Sequence, residues 1–136
     1  MIALRQYVER HGLGVMLPDV DLLFVTGQFV RPDLAFVPEA ARDGITDRGV
    51  EKAPGLVVEV LSPTSSSIDL VKKPRRYGDF GVPEYWVADP EERVVWVWRF
   101  TELVREPERV TERLARHPAG AGEPLVLDLD EVFRPL

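Results

Sequence analysis

Cysteine is absent from the 136 residues, which excludes disulfides, thiolate metal sites and a cysteine nucleophile. Only two histidines occur, His11 and His117, too few for a histidine-rich metal site and poor material for a Ser-His-Asp triad. No apolar run approaches the ~18 residues that would span a bilayer. The amino end, Met1-Ile2-Ala3-Leu4-Arg5-Gln6, has no apolar core before Glu9 and Arg10, so it does not read as a secretory signal. The expectation is a cytoplasmic protein with no membrane partner. Neither G-x-G-x-x-G nor G-x-x-x-x-G-K-[ST] is present, so no glycine-rich loop cradles a phosphate. An excess of basic charge is missing too: 17 Lys and Arg stand against 23 Asp and Glu, a net charge of −6. That balance disfavours nucleic-acid binding by bulk electrostatics alone and leaves room for one local basic patch.

What remains is an ordinary globular composition, 45% hydrophobic and 29% charged, in a length suited to one domain spanning residues 1–136. Ile2, Leu4, Tyr7 and Val8 fall at near-helical spacing, and His11-Gly12 offers a stop, predicting a short amphipathic helix. Residues 14–18 and 21–25 read as strands. Thr26-Gly27-Gln28 reads as a hairpin turn, and 29–37 as a returning strand with an edge or bulge at Pro32. Residues 38–54 read as a loop with at most one helical turn. Gly55-Leu56-Val57-Val58-Glu59-Val60-Leu61-Ser62 is apolar on both faces, the pattern of a central strand covered on both sides.

Thr64 to Ser67 supply candidate N-caps for a helix running through Tyr77 and Phe80 to Gly81. Pro74 either kinks that helix or sits near the start of a new one. Residues 84–89 and 93–100 read as a hairpin across Asp89-Pro90-Glu91-Glu92. Residues 102–115 read as one strand, 118–124 as a loop, 125–127 as a short strand and 128–133 as a terminal turn. The fold class is therefore α/β (α+β), a mixed sheet flanked by helices.

Three residues carry candidate chemistry, each with a plainer alternative. Glu59 shares a sheet face with Val57 and Leu61, where a carboxylate loses hydration and needs a cation or donors. It is a metal ligand or one half of a structural ion pair with an arginine. Asp33 follows Pro32, and Pro-Asp commonly makes a turn. Brought beside Glu59 across an antiparallel pair, it would complete an oxygen-rich site suited to Mg²⁺, with the Val60 carbonyl as a third ligand. Lys73 has Asp69 four positions before it and Tyr77 four after, all on one helical face if Pro74 only kinks the helix. Its ammonium either orients a water and takes up phosphate charge, or is a solvated partner of Asp69. Lys72, Lys73, Arg75 and Arg76 form the one dense basic cluster, which is a phosphate-contact patch or a solvated helix face. Tyr85, Trp86, Trp96, Trp98 and Phe100 alternate with period 2, which favours core packing over base stacking.

Arg31-Pro32-Asp33-Leu34-Ala35-Phe36-Val37, then Ala53 to Pro63, then Asp69, Lys73 and Tyr77, then Gly81 to Pro90, resemble in order and spacing the Uma-two family. Those are restriction-endonuclease-like proteins related to the PD-(D/E)XK nucleases, and the likeness runs from about residue 2 to the carboxyl end. The resemblance implies a restriction-endonuclease-like sheet flanked by helices and a Mg²⁺-dependent attack of water on a DNA phosphodiester, with Mn²⁺ as an alternative ion. It implies that Asp33 and Glu59 are the metal ligands and that Asp33, Glu59 and Lys73 are catalytic. The third position of the E-x-K motif is Leu61, and the resemblance assigns the lysine to the following helix, as Lys73. Lys72, Arg75 and Arg76 would contact DNA. The amino-terminal segment reads as shorter than in the family. The expected function is a metal-dependent DNA endonuclease acting as a homodimer, since two sites serve to cut both strands. The alternative is a catalytically inactive nuclease-fold module that binds DNA or a protein partner.

Overall fold

Leu4, Tyr7 and Val8 lie three and four residues apart on helix α1 (Ile2–Arg10), and all three are buried. The helix closes as its sequence predicts. Gly12 takes φ +60°, its N–H bonds Glu9, and the Leu13 N–H reaches back to Val8, a Schellman stop that satisfies two terminal carbonyls. The structure, a computed structural model, describes residues 2–24, 27–61, 72–100, 106–116 and 125–133.

Six of the strands form one mixed sheet: β1 (Gly14–Pro18), β4 (Leu34–Pro38), β7 (Leu56–Val60), β8 (Glu84–Asp89), β9 (Val94–Arg99) and β10 (Glu108–Val110). They lie in the order β1-β4-β7-β8-β9-β10. Every neighbour pair is antiparallel except β7 with β8. A parallel pair cannot be joined by a tight turn, and helix α2 (Lys72–Phe80) lies in the connection between these two strands. Four smaller strands, β2 (Leu22–Leu23), β3 (Phe29–Val30), β5 (Ile45–Thr46) and β6 (Gly49–Val50), make a second sheet in the order β3-β2-β6-β5. Strands β11 (Arg113–Arg116) and β12 (Leu125–Asp128) pair antiparallel, and β12 leads into the single turn α3 (Leu129–Val132).

Alternation along the central strands divides the interior into two cores. Leu56, Val58, Trp86, Ala88, Val95 and Val97 face α1 and pack with Leu114, Leu127 and Leu129. Val57, Tyr85, Val87 and Trp98 face the other way and pack with Tyr77 of α2, Leu22 and Val50. Strand β7 is therefore covered on both faces, as its unbroken apolar run requires.

Three expectations are corrected. Residues 29–37 are not one strand bulged at proline: the chain leaves the small sheet after Val30 and enters the large one at Leu34, with Pro32 buried at the switch. The missing N–H of Pro32 suits this gap between two ladders. Residues 38–54 hold more order than a loop, a 3₁₀ turn at Glu39–Gly44 followed by the β5–β6 hairpin. Two-residue strands give no readable period, which is why they escape pattern analysis. Within 102–115, the described part divides into β10 and β11, which belong to different sheets. The Ser-rich caps at residues 64–67 and Asp69 lie outside the described residues.

Candidate active site

Asp33 stands one residue before β4, and the β4–β7 register sets its position. Leu34 lies opposite Val58 and Ala35 opposite Val57, so the next step of the ladder puts Asp33 opposite Glu59. The ladder is closed there by a side chain: the Val60 N–H donates to Asp33 Oδ2 at 2.6 Å. Backbone fixes Asp33 too, since the Asp19 N–H bonds its carbonyl at 3.1 Å. Its side chain is exposed.

Glu59 shares the α2-facing side of β7 with Val57 and is only 3% exposed, the one buried charged residue among those described. An ionised carboxylate at that depth requires compensation. Lys73 Nζ sits 2.8 Å from Oε1, Tyr77 Oη donates to the same oxygen at 3.2 Å, and Tyr85 Oη donates to Oε2 at 2.5 Å. Lys73 and Tyr77 are four apart on α2, so one helical face delivers both donors to one oxygen. Tyr85 comes from β8, where the parallel register sets it beside Val57 and Val87 beside Glu59. Lys73 remains partly exposed, so its ammonium spans from the buried acid toward solvent.

The electrostatics follow from this packing. Burial pushes both phenols far above the ordinary tyrosine value, and the Glu59 charge and its hydrogen bonds push them further. The Asp33 charge raises both as well, so the two acids act on one small volume. Arg76 opposes the shift at Tyr77.

The sequence-derived residues Asp33, Glu59 and Lys73 thus converge, from the residue before β4, from β7 and from α2. Arg75 and Arg76 are exposed on α2, whereas the Lys72 side chain lies outside those described. Arg76 borders a cleft of about 490 Å³ lined by Phe24 and Phe80, which includes none of the three converging residues. Sequence reasoning missed Tyr85 as a partner of Glu59 and assigned it to the core alone. A buried phenol needs an acceptor, and the buried acid on the neighbouring strand was the signal available.

No three His, Cys, Asp or Glu side chains cluster as a ready-made metal site among the described residues. Mg²⁺, however, is commonly held by one or two carboxylates together with waters and substrate phosphate, and Asp33 with Glu59 fits that donor set.

A mixed sheet with this acid–amine cluster under its crossover helix has the architecture of a nuclease-like α+β domain. A family profile described as "Putative restriction endonuclease", Uma2, matches residues 1–126, and the chain belongs to that family. Among solved structures it is similar to "a putative nuclease belonging to DUF820" from Anabaena variabilis ATCC 29413. That likeness has a TM-score of 0.78 and 22% identity, covering 97% of this chain and 74% of the other. It shows the shared fold. No curated protein matches the chain.

Proposed function

We propose that this protein is a Mg²⁺-dependent DNA endonuclease, with Mn²⁺ as an alternative ion, whose catalytic residues are Asp33, Glu59 and Lys73. The carrying observation is that Lys73 Nζ lies 2.8 Å from Glu59 while Asp33 bonds the backbone of the next residue, Val60. Asp33 and Glu59 would hold the ion, which supplies Lewis acidity toward water and toward the scissile phosphate. Lys73 holds a proton-rich ammonium at the mouth of the site, where it orients the attacking water and offsets charge gathering on the phosphoryl oxygens. In hydrolysis one P–O bond forms to the water oxygen and one breaks, and a water proton ends on the leaving hydroxyl. Arg75 and Arg76, with Lys72, provide phosphate contacts beside it. Cutting both strands of a duplex calls for two such sites, so the reading includes a homodimer.

Asp33→Asn is the cleanest test, because the amide oxygen still accepts the Val60 N–H while the charge is lost. A labelled duplex should be cut with Mg²⁺, spared with EDTA, and left intact by a folded Asp33→Asn protein. Lys73→Ala should lower the rate about 10²–10³-fold. Cleavage by Asp33→Asn at the wild-type rate would sink the assignment.

One observation favours a second reading. Glu59 already has three protein donors, as a structural ion pair would, so the family fold can also serve as an inactive module that binds DNA or a protein partner. Duplex that is bound but never cut, with no saturable Mg²⁺ binding, would select it.

A further inference from the structure

We infer that Tyr85 is a positioning residue for the Asp33–Glu59 cation site, aiming the oxygen of Glu59 that Lys73 does not claim; this rests on the metal reading above. A carboxylate oxygen offers two lone-pair positions. Glu59 Oε1 has both engaged, by Lys73 Nζ at 2.8 Å and Tyr77 Oη at 3.2 Å. Oε2 receives Tyr85 Oη at 2.5 Å and no other donor among the described residues. Among the described residues, then, one acceptor position on Oε2 is left for a cation. The terminal torsion of a glutamate is broad and nearly two-fold, so donors on one oxygen hold the carboxylate plane less firmly than donors on both. Tyr85 supplies the second hold.

The anchor is itself immobile. Tyr85 is fully buried in the β7–β8–β9 ladders, with its ring 4.7 Å from that of Tyr77 and 5.4 Å from that of Trp98. Its O–H···O⁻ bond is short and charge-assisted, the kind that fixes a ligand's plane. Tyr77 is not equivalent. It shares its oxygen with the Lys73 ammonium, a second donor at 2.8 Å.

The test is calorimetric Mg²⁺ titration of the intact protein, Tyr85→Phe and Tyr77→Phe, with circular dichroism and thermal unfolding to confirm the fold. Phenylalanine retains each ring and deletes only the hydroxyl. Tyr85→Phe should weaken Mg²⁺ affinity by about 10–100-fold, and Tyr77→Phe by clearly less. Unchanged affinity in Tyr85→Phe, or equal losses in both variants, overturns the positioning role while leaving the metal reading intact. A wild-type protein that takes up no Mg²⁺ overturns the metal reading and the role together. Should Tyr85→Phe fail to fold, the tyrosine difference spectrum of Tyr77→Phe during Mg²⁺ titration decides. A perturbed band supports the role and a flat one overturns it.

Discussion

Two phenols against one buried carboxylate make the site sensitive to strong base. Tyr77 and Tyr85 are raised above the ordinary value of about 10, first by burial and then by Glu59. A group that holds its proton more tightly when folded adds stability that is complete below its unfolded pKa. Above about pH 10 the unfolded chain releases these protons while the folded one retains them, so stability declines as pH rises. Tyrosinate absorbance from Tyr77 and Tyr85 should therefore appear together with loss of the circular dichroism of the fold, and the Phe variants should assign it. Ionisation of both near pH ~10 in a folded protein would contradict the burial described here. The same residues show what a sequence yields at this scale. Glu59 and Lys73 were legible because a charge amid valines and a lysine four before a tyrosine are local patterns. Which cation faced Glu59 was not, because nothing in the spacing separates an arginine elsewhere from Lys73.

At the scale of elements, α2 shows how a helix is stopped. Pro74 is its third described residue, and the residues before Lys72 lie outside those described. At the other end Gly81 takes φ +100°, its N–H bonds Gly78, and the Val82 N–H reaches back to Tyr77. A side chain at that backbone angle is strained, so Gly81→Ala should destabilise the protein by roughly 1–2 kcal/mol. Urea unfolding at unchanged m-value would measure it, and a neutral result would contradict the stop geometry. Gly81, the two-faced β7 and the β8–β9 hairpin were all readable, since each has a period or a turn residue of its own. The split of 29–37 between two sheets was not. Sheet membership is decided by distant partners, and Pro32 signals only that some ladder is interrupted.

For the molecule as a whole, the net charge of −6 sets how it can meet a polyanion. Without a broad positive field, the DNA contact proposed above would rest on the few cations of α2, where Arg75 and Arg76 are both exposed. Replacing both with alanine should weaken duplex binding for any base sequence and reduce the slope of log K against log salt by about 2. Fluorescence anisotropy across a salt series would show it, and an unchanged slope would move the DNA contact elsewhere. Sequence alone located this cluster, but only the fold ties Glu59 to Lys73 of α2 and sets Asp33 against the strand that carries Glu59. That dependence on distant strands also governs when the site comes into being. During vectorial synthesis the acids leave the ribosome well before β8, so Glu59 lacks its Tyr85 anchor, and β7 its parallel neighbour, until residue 85 clears the exit tunnel. A nascent chain shorter than that carries Asp33 and Glu59 without the β7–β8 pairing that sets their surroundings.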